Sequence, residues 1–185
     1  MMQKSDIRKL VAWRKRQHRE EELQEMSLAV TQALRENPFV RGARTILLYY
    51  SMRGEVDTHG LVEELRREGK TVLLPRVVDG ERMELVPYTG VAGLRPAGSF
   101  HILEPQGEPF TDCSLIDVAV IPGIAFTPGG KRMGRGRGYY DRLLVRATAM
   151  HKIGLCFPFQ LFDDLPTSAS DIDMDEVVTA SPSPL

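Results

Sequence analysis

Residues 45–50 read TILLYY and residues 71–74 read TVLL, two short apolar runs typical of strands that are buried on both faces of a sheet. Between them, apolar residues recur at helical spacing, with Asp57 or Thr58 as the cap before them and Gly69 as the stop. A strand, a helix and a second strand in such close succession form a βαβ unit, in which the strands are parallel and the crossover is right-handed. The stretch therefore predicts a mostly parallel central sheet.

The neighbouring segments extend this pattern. A further buried strand is predicted at residues 116–121 (IDVAVI), a helix at residues 139–149, a short strand at residues 153–155 (IGL) and a last strand at residues 176–179 (EVVT). The dipeptide Asp79-Gly80 lies between two apolar segments and predicts a hairpin, which adds an antiparallel strand. The fold class predicted from these elements is α/β, a three-layer α/β/α sandwich with a mixed, mostly parallel central sheet.

Two predicted helices precede the sheet and one predicted loop interrupts it. The helices cover about residues 4–36, and the α/β core covers about residues 44–180. Residues 88–111 carry repeated Gly and Pro with little periodicity, so we expect a long surface loop there. The organisation predicted for residues 1–185 is a single domain.

The composition is that of an ordinary soluble globular protein. Of its 185 residues, 42% are hydrophobic and 26% charged, and the formal net charge is −1. At that net charge, any affinity for nucleic acid or an anionic membrane has to come from a local patch. The two cysteines show no CxxC spacing, which argues against a disulfide framework or a zinc cluster. The start lacks the apolar segment of a signal peptide, so we expect a cytoplasmic protein.

Residues 122–141, PGIAFTPGGKRMGRGRGYYD, join a predicted buried strand to a predicted helix. Ligands of open α/β sheets bind outside the carboxyl ends of the strands. Gly134, Gly136 and Gly138 free the backbone to direct N–H groups at one anion, and the helix N-terminus that follows favours negative charge. Four positive side chains lie within seven residues: Lys131, Arg132, Arg135 and Arg137. Together these features predict a loop that binds a polyphosphate.

This loop matches neither of the two common phosphate-binding motifs. Lys131 is followed by Arg132 instead of Ser or Thr, and Tyr139 occupies the third glycine position of GxGxxG. The alternative is a basic surface loop or an RGG-like segment that contacts RNA. The setting between strand and helix favours the phosphate site, because a solvated loop has no need of it.

Carboxylates close to this loop suggest a Mg²⁺ site. Asp141 lies one turn into the predicted helix; a helix-dipole carboxylate is the alternative role for it. Mg²⁺ is usually held by one or two carboxylates together with substrate phosphates. A second ligand would come from the six carboxylates between Asp163 and Glu176, although such a run is more often a solvated loop.

The run PGIAF…GKRMGRGRGYYDRLL resembles the signature of the 5-formyltetrahydrofolate cyclo-ligase (5,10-methenyltetrahydrofolate synthetase) family. Further matches follow in family order along most of the chain: KSDIR at 4–8, GEVDT at 54–58, LPR at 74–76, EP at 104–105, the stretch from Gly154 through Gln160 to Leu165-Pro166, and Asp171 to Val178. The resemblance implies a mixed α/β sandwich. It also implies an enzyme that uses ATP and Mg²⁺ to cyclise 5-formyltetrahydrofolate to 5,10-methenyltetrahydrofolate, releasing ADP and phosphate.

The resemblance also implies roles for individual residues. The implied catalytic residues are Lys131, Arg132 and Arg135. The implied ATP-binding residues are Lys4, Arg8, Arg132, Met133, Gly134, Arg135, Gly136, Arg137, Gly138, Tyr139 and Tyr140. The implied substrate-binding residues are Tyr50, Glu55, Phe100, Arg135 and Tyr139, and among them Glu55 would hydrogen-bond the pterin. The implied metal ligands are Asp141 and Asp171, with Asp173 and Asp175 as alternatives for the second.

The chain departs from the family pattern at two positions. Thr127 stands where many members have Asp, which bears on the hydrogen bonding of that loop, and Arg135 stands where many bacterial members have Tyr. Two other functions are open: a non-catalytic homologue that binds 5-formyltetrahydrofolate, and a nucleic-acid-binding module. Intact ATP-side residues argue against the first and the net charge against the second. We therefore expect a monomer whose partners are 5-formyltetrahydrofolate and ATP, with no nucleic acid and no membrane.

Overall fold

The computed structural model describes residues 2–80, 82–97, 102–168 and 171–180. The helices are α1 (Lys4–Arg16), α2 (Glu20–Glu36), α3 (Pro38–Gly42), α4 (His59–Arg67) and α5 (Tyr139–Arg146). The strands are β1 (Thr45–Leu47), β2 (Thr71–Val77), β3 (Met83–Pro87), β4 (Leu94–Ala97), β5 (Ile102–Pro105), β6 (Val118–Ile121), β7 (Ala125–Phe126), β8 (Arg132–Met133), β9 (His151–Leu155) and β10 (Glu176–Val178). None of the described helices is both long enough and apolar enough to span a bilayer.

Six strands form the central sheet, in the order β10-β9-β6-β1-β2-β3. Neighbouring strands from β10 to β2 are parallel, and β3 runs antiparallel to β2. The predicted βαβ unit is β1–α4–β2, in which Ile46 lies opposite Val72. The predicted hairpin joins β2 to β3. The prediction of a mixed, mostly parallel sheet in an α/β sandwich is confirmed.

Side chains on alternate positions of the strands enter two different cores. Ile46 shares a core with Leu61 of α4, whereas the next residue, Leu47, shares a core with Leu144 of α5 on the other face. This alternation is that of a sheet covered on both sides, and it explains why consecutive strand residues such as Ile46 and Leu47 are both apolar. Burying each such aliphatic side chain contributes roughly 1.5–3 kcal/mol.

Helix α1 lies outside these two layers and packs through a third core. Ile7 and Val11 on one face of α1 are buried together with Ala125 of β7 and Met133 of β8. The strands β7 and β8 form an antiparallel pair on either side of a turn, and β8 leads directly into the glycine-rich loop. The first helix is therefore held against the segment that carries the basic residues.

The prediction of a long loop at residues 88–111 is wrong. Strands β4 and β5 pair antiparallel within it, with Leu94 opposite Pro105, and Leu94 is buried. Glycines mark the turns around these strands, since Gly90 and Gly107 have φ of 117° and 133°. Four-residue strands are too short to show alternation, so glycine and proline dominated the pattern.

One helix and one helix boundary also differ from expectation. The short helix α3 was not predicted; Pro38 begins it, and the side chain of Asn37 accepts hydrogen bonds from the backbone N–H groups of Phe39 and Val40. Proline suits the first helical position because its missing N–H would have no partner there. The predicted helix at residues 139–149 ends earlier, at Arg146.

Candidate active site

A cavity of about 620 Å³ opens at the carboxyl ends of β1, β2 and β6. It is lined by predicted site residues from the first helix, the segment after β1, the glycine-rich loop and the acidic tail. They are Lys4, Arg8, Tyr50, Glu55, Arg132, Met133, Gly134, Arg135, Gly136, Arg137, Gly138, Tyr139, Tyr140, Asp141 and Asp171. The sheet thus brings together residues that are far apart in sequence, at the edge where α/β proteins bind ligands.

Glycines shape the loop between β8 and α5. Gly136 and Gly138 have φ of 95° and 68°, in the left-handed region that L-residues rarely adopt, and Gly138 is the N-cap of α5. At Gly134, a Cβ atom would lie 2.8 Å from Nη1 of Arg132. A side chain at residue 136 or 138 would therefore strain the backbone, and one at residue 134 would displace the Arg132 guanidinium.

Arg132 and Asp141 form a buried ion pair beneath this loop. Arg132 Nη2 lies 2.6 Å from Oδ1 of Asp141, and the Arg132 side chain is only 3% exposed. The backbone N–H of Ile172 donates to the same Asp141 oxygen at 3.3 Å. Nε of Arg132 is buried and has no hydrogen-bond partner among the described residues. Arg132 therefore fixes the position of the Asp141 carboxylate through a buried ion pair.

A second ion pair joins the first helix to the acidic tail. Lys4 Nζ lies 3.0 Å from Oδ2 of Asp171, which also accepts the backbone N–H of Ser168 at 2.7 Å. Partial burial opposes ionisation, but the hydrogen bonds from Ser168 and Lys4 outweigh it and lower the pKa of Asp171 below its usual value. Asp171 is thus held ionised beside a cation.

A third pair links the basic loop to the segment after β1. Arg135 Nη2 lies 2.8 Å from Oε1 of Glu55, and the backbone N–H of Met52 donates to Oε2 of Glu55 at 2.9 Å. Glu55 is largely buried, whereas Arg135 is half exposed. The carboxylate is therefore fixed on one wall of the cavity, and the guanidinium reaches it from the other.

The donor set at Asp141 and Asp171 fits Mg²⁺. The backbone N–H of Ile172 donates to the Asp141 carboxylate. Since Ile172 directly follows Asp171, the acidic tail passes beside Asp141. No group of three or more His, Cys, Asp or Glu side chains arranged to hold a metal occurs in the described part of the chain. Two carboxylate ligands, completed by substrate phosphates and water, are a common way to bind this hard cation.

The tail positions that were alternatives for the second ligand lie elsewhere. Asp175 bonds Lys152 Nζ at 2.8 Å and the Lys152 backbone N–H at 2.7 Å, beside β9. Asp173 is exposed and does not line the cavity. Their placement favours Asp171 as the second carboxylate.

One predicted site residue, Lys131, is not brought into the cavity by the described structure. Nζ of Lys131 lies 2.6 Å from Oδ1 of Asp164, which raises the pKa of Lys131, and this residue does not line the cavity. Its position does not support the catalytic role that was predicted for it. Phe100 lies outside the described residues.

Thr127 takes over the local hydrogen bonding at the position where it departs from the family pattern. It is buried, and its Oγ1 accepts the backbone N–H of Lys131 at 3.1 Å. Thr127 and Lys131 also bond through their backbones, which closes the turn between β7 and β8. A hydroxyl at residue 127 therefore suffices to hold this turn.

The opposite wall of the cavity is apolar and was not predicted from sequence. It comprises Val77, Met83, Ile102 and Leu103, together with the carboxylate of Glu104. Val77 and Met83 come from the β2–β3 hairpin, and the other three residues come from β5, inside the region where the sequence predicts a loop. The hairpin also contacts α5, because Tyr139 Oη donates to the backbone oxygen of Asp79 at 2.9 Å.

Comparison with known proteins agrees with this geometry. The model of the 5-formyltetrahydrofolate cyclo-ligase family matches residues 1–180. The chain belongs to this family of ligases. The 5-formyltetrahydrofolate cyclo-ligase of Escherichia coli is 31% identical over 178 residues, which cover 93% of this chain and 97% of that protein. A probable 5-formyltetrahydrofolate cyclo-ligase of Caenorhabditis elegans is 27% identical over 188 residues, covering 95% of this chain and 91% of the relative.

Solved structures of the family agree with the fold. The NMR structure of 5,10-methenyltetrahydrofolate synthetase from Aquifex aeolicus superimposes with a TM-score of 0.83 at 37% identity, covering 96% of this chain and 90% of that one. A 5,10-methenyltetrahydrofolate synthetase from Mycoplasma pneumoniae has a TM-score of 0.77 at 23% identity, covering 96% and 99%, which supports the fold alone. The family implied by the sequence motifs is thus confirmed.

Proposed function

We propose that this cyclo-ligase family member catalyses the ATP- and Mg²⁺-dependent cyclisation of 5-formyltetrahydrofolate to 5,10-methenyltetrahydrofolate. The observation that carries the proposal is one cavity with two chemically different walls. Lys4, Arg8 and the glycine-rich loop supply positive charge and open backbone for a triphosphate. The apolar wall formed by β3 and β5, with Glu55 as an acceptor, suits a flat heteroaromatic ring.

The reaction needs an activated formyl group, because the oxygen of a formamide is a poor leaving group. In the proposed mechanism, the formyl oxygen attacks the γ-phosphorus of ATP, ADP departs, and an imidoyl phosphate forms. N10 of the folate then attacks the same carbon, and the carbon–oxygen bond breaks to release phosphate. The N10 proton leaves as the ring closes, so that phosphate carries away both the formyl oxygen and, after protonation, one hydrogen.

The residues of the chain contribute mainly positioning and charge neutralisation, as is usual for phosphoryl transfer. Lys4 and Arg8 lie one turn apart on α1 and would hold ATP phosphates from one side. Arg135 and the backbone from Gly134 to Gly138 would hold them from the other. Arg132 is buried and paired with Asp141, so its proposed role is to orient that carboxylate.

Asp141 and Asp171 would hold Mg²⁺ through their carboxylate oxygens. When bound there, the ion would neutralise charge on the ATP phosphates. Arg132 and Lys4 each neutralise one of these carboxylates in the structure. Each carboxylate is therefore already positioned by a basic side chain, which favours binding of a divalent cation.

The proposal extends to partners and location. Residues 1–185 would act as one monomeric, cytoplasmic domain that binds two small molecules and neither nucleic acid nor membrane. Pairing within the chain supports this: Lys131, Arg132 and Arg135 each form an ion pair with a carboxylate. Three of the four positive charges of the loop are thus neutralised within the chain, whereas a nucleic-acid-binding stripe would leave them available to phosphates.

The first experiment is an absorbance assay for methenyltetrahydrofolate formed from 5-formyltetrahydrofolate, run with and without ATP and with and without Mg²⁺. We expect product only when both are present. A matched control is Asp164→Asn, which breaks the Lys131 pair outside the cavity and should leave turnover unchanged. A folded protein that binds the folate yet forms no product would support the non-catalytic homologue instead.

A further inference from the structure

Glu104 is a buried carboxylate on β5 to which neither the family resemblance nor the mechanism assigns a role. It is only 8% exposed and lines the cavity. Oε1 accepts the backbone N–H of Val77 at 3.1 Å, at the carboxyl end of β2. The side chain is thereby fixed at the sheet edge where ligands of α/β proteins bind.

Within the described residues, no basic side chain forms an ion pair with Glu104. The nearby guanidinium of Arg76 instead contacts Glu84 at 2.9 Å and the backbone oxygen of Gly107 at 3.1 Å. A carboxyl group that is only 8% exposed keeps few of its hydrogen bonds to water. Such a group is retained most readily where a ligand supplies the missing hydrogen bonds.

The surroundings of Glu104 indicate the chemistry of that ligand. Its neighbours on this wall are the apolar side chains of Val77, Met83, Ile102 and Leu103. A carboxylate repels phosphate, so it belongs to the part of the cavity that does not hold the triphosphate. An acceptor set in an apolar wall matches a flat heteroaromatic ring that carries N–H donors.

We propose that Glu104 is a second substrate-binding carboxylate, which accepts N–H donors of the bound folate ring through Oε2 while Oε1 stays on Val77. This inference rests on the proposed function, which makes a reduced folate the ring-bearing substrate. Adenine of ATP also carries N–H donors, so the test measures the two ligands separately. Glu55 and Glu104 would then contact different parts of the same substrate.

The test uses Glu104→Gln, which keeps an acceptor oxygen for Val77 but replaces the other oxygen with an amide donor. Calorimetric titration with 5-formyltetrahydrofolate, without ATP, should give a Kd about 10- to 100-fold higher than that of the wild type, because a charge-assisted hydrogen bond is lost. The Kd for a non-hydrolysable ATP analogue with Mg²⁺ should stay within about two-fold, and the Tm should stay close to that of the wild type.

The matched control is Glu84→Gln, which removes a carboxylate from the neighbouring strand without touching the cavity and should leave both Kd values unchanged. A folate Kd that Glu104→Gln leaves within two-fold overturns the assignment, and so does a loss confined to the ATP analogue. A wild-type chain that binds no folate would overturn the proposed function along with it. A folate Kd that rises in Glu104→Gln but not in Glu84→Gln supports the Glu104 assignment and the proposed function together.

Discussion

Glu55 and Arg135 face each other across the cavity, with Arg135 Nη2 lying 2.8 Å from Oε1 of Glu55 although 80 positions separate them in sequence. Glu55 is 12% exposed and bonded to the Met52 backbone, whereas the Arg135 side chain is 54% exposed. The carboxylate is thus fixed and the guanidinium is accessible to solvent. A folate ring that donates hydrogen bonds to Glu55 would release Arg135 from it. The freed guanidinium would lie on the side of the cavity where the triphosphate is proposed to bind.

Glu55→Gln should therefore affect binding far more than stability. We expect the KM for 5-formyltetrahydrofolate to rise about 10-fold, since a charge-assisted acceptor is lost. The free energy of unfolding should fall by less than about 1 kcal/mol, because the paired guanidinium is half exposed and screened by solvent. Steady-state kinetics and thermal unfolding measure the two. Glu20→Gln, which alters an exposed pair with Arg53, is the control. A large loss of stability with an unchanged KM would contradict this role.

Asp141 should show a difference between its alanine and asparagine variants. Asp141→Ala leaves the Arg132 guanidinium buried without its partner, so we expect a loss of roughly 3 kcal/mol in the free energy of unfolding. Asp141→Asn keeps an oxygen for Arg132 and should lose less. Both variants should lose methenyltetrahydrofolate formation, because neither offers a carboxylate to Mg²⁺. Denaturant titration together with the absorbance assay tests this. Near-normal turnover of Asp141→Asn at limiting Mg²⁺ would refute the metal assignment.

Lys4 should matter for ATP and little for folate. Lys4→Ala removes a positive charge from the triphosphate side of the cavity, so we expect the KM for ATP to rise about 10-fold. The KM for 5-formyltetrahydrofolate should stay the same. Lys9→Ala, on the same helix but outside the cavity lining, is the matched control. Equal effects of the two substitutions would remove Lys4 from the site.

The Lys4–Asp171 pair should also contribute a pH-dependent stability. Because the pKa of Asp171 is lowered in the folded protein, the contribution is full above the unfolded pKa of about 3.9 and disappears as the pH falls through the lowered folded value. Lys4 is more than one-third exposed, so the effect should stay below about 1 kcal/mol. Denaturant titrations of the wild type and Asp171→Asn should differ at pH 7 and converge below pH 4. A difference that grows with acidification would contradict the sign.

The close packing around Phe126 gives a prediction that concerns stability alone. A Cβ atom at Gly154 would lie 2.5 Å from Cε1 of the Phe126 ring, which is fully buried. Gly154→Ala should therefore destabilise the fold by roughly 1–3 kcal/mol through overpacking. Gly80→Ala is the control, because a Cβ there meets no atom within 4 Å. Equal Tm values for the two variants would show that the β9 strand can shift to make room.

The parts of the fold predicted correctly were those with a local signature. The strands β1, β2 and β6 contain runs of consecutive apolar residues because helices cover both faces of the sheet, and these runs are visible in sequence. Strands β4 and β5 were missed because four residues next to glycine and proline show no period. With them, the apolar wall and Glu104 were missed as well.

By itself, the sequence determined the βαβ core, the basic glycine-rich loop and the family, because each rests on residues that are close together or on motifs in order. Only the tertiary structure decided which charged side chains form ion pairs. Lys4 reaches Asp171 across 167 positions because α1 packs against β7 and β8. Arg132, which the sequence places among the phosphate-binding residues, is buried in an ion pair with Asp141. Pairing between distant residues depends on strand order and helix packing, and neither leaves a period in the sequence.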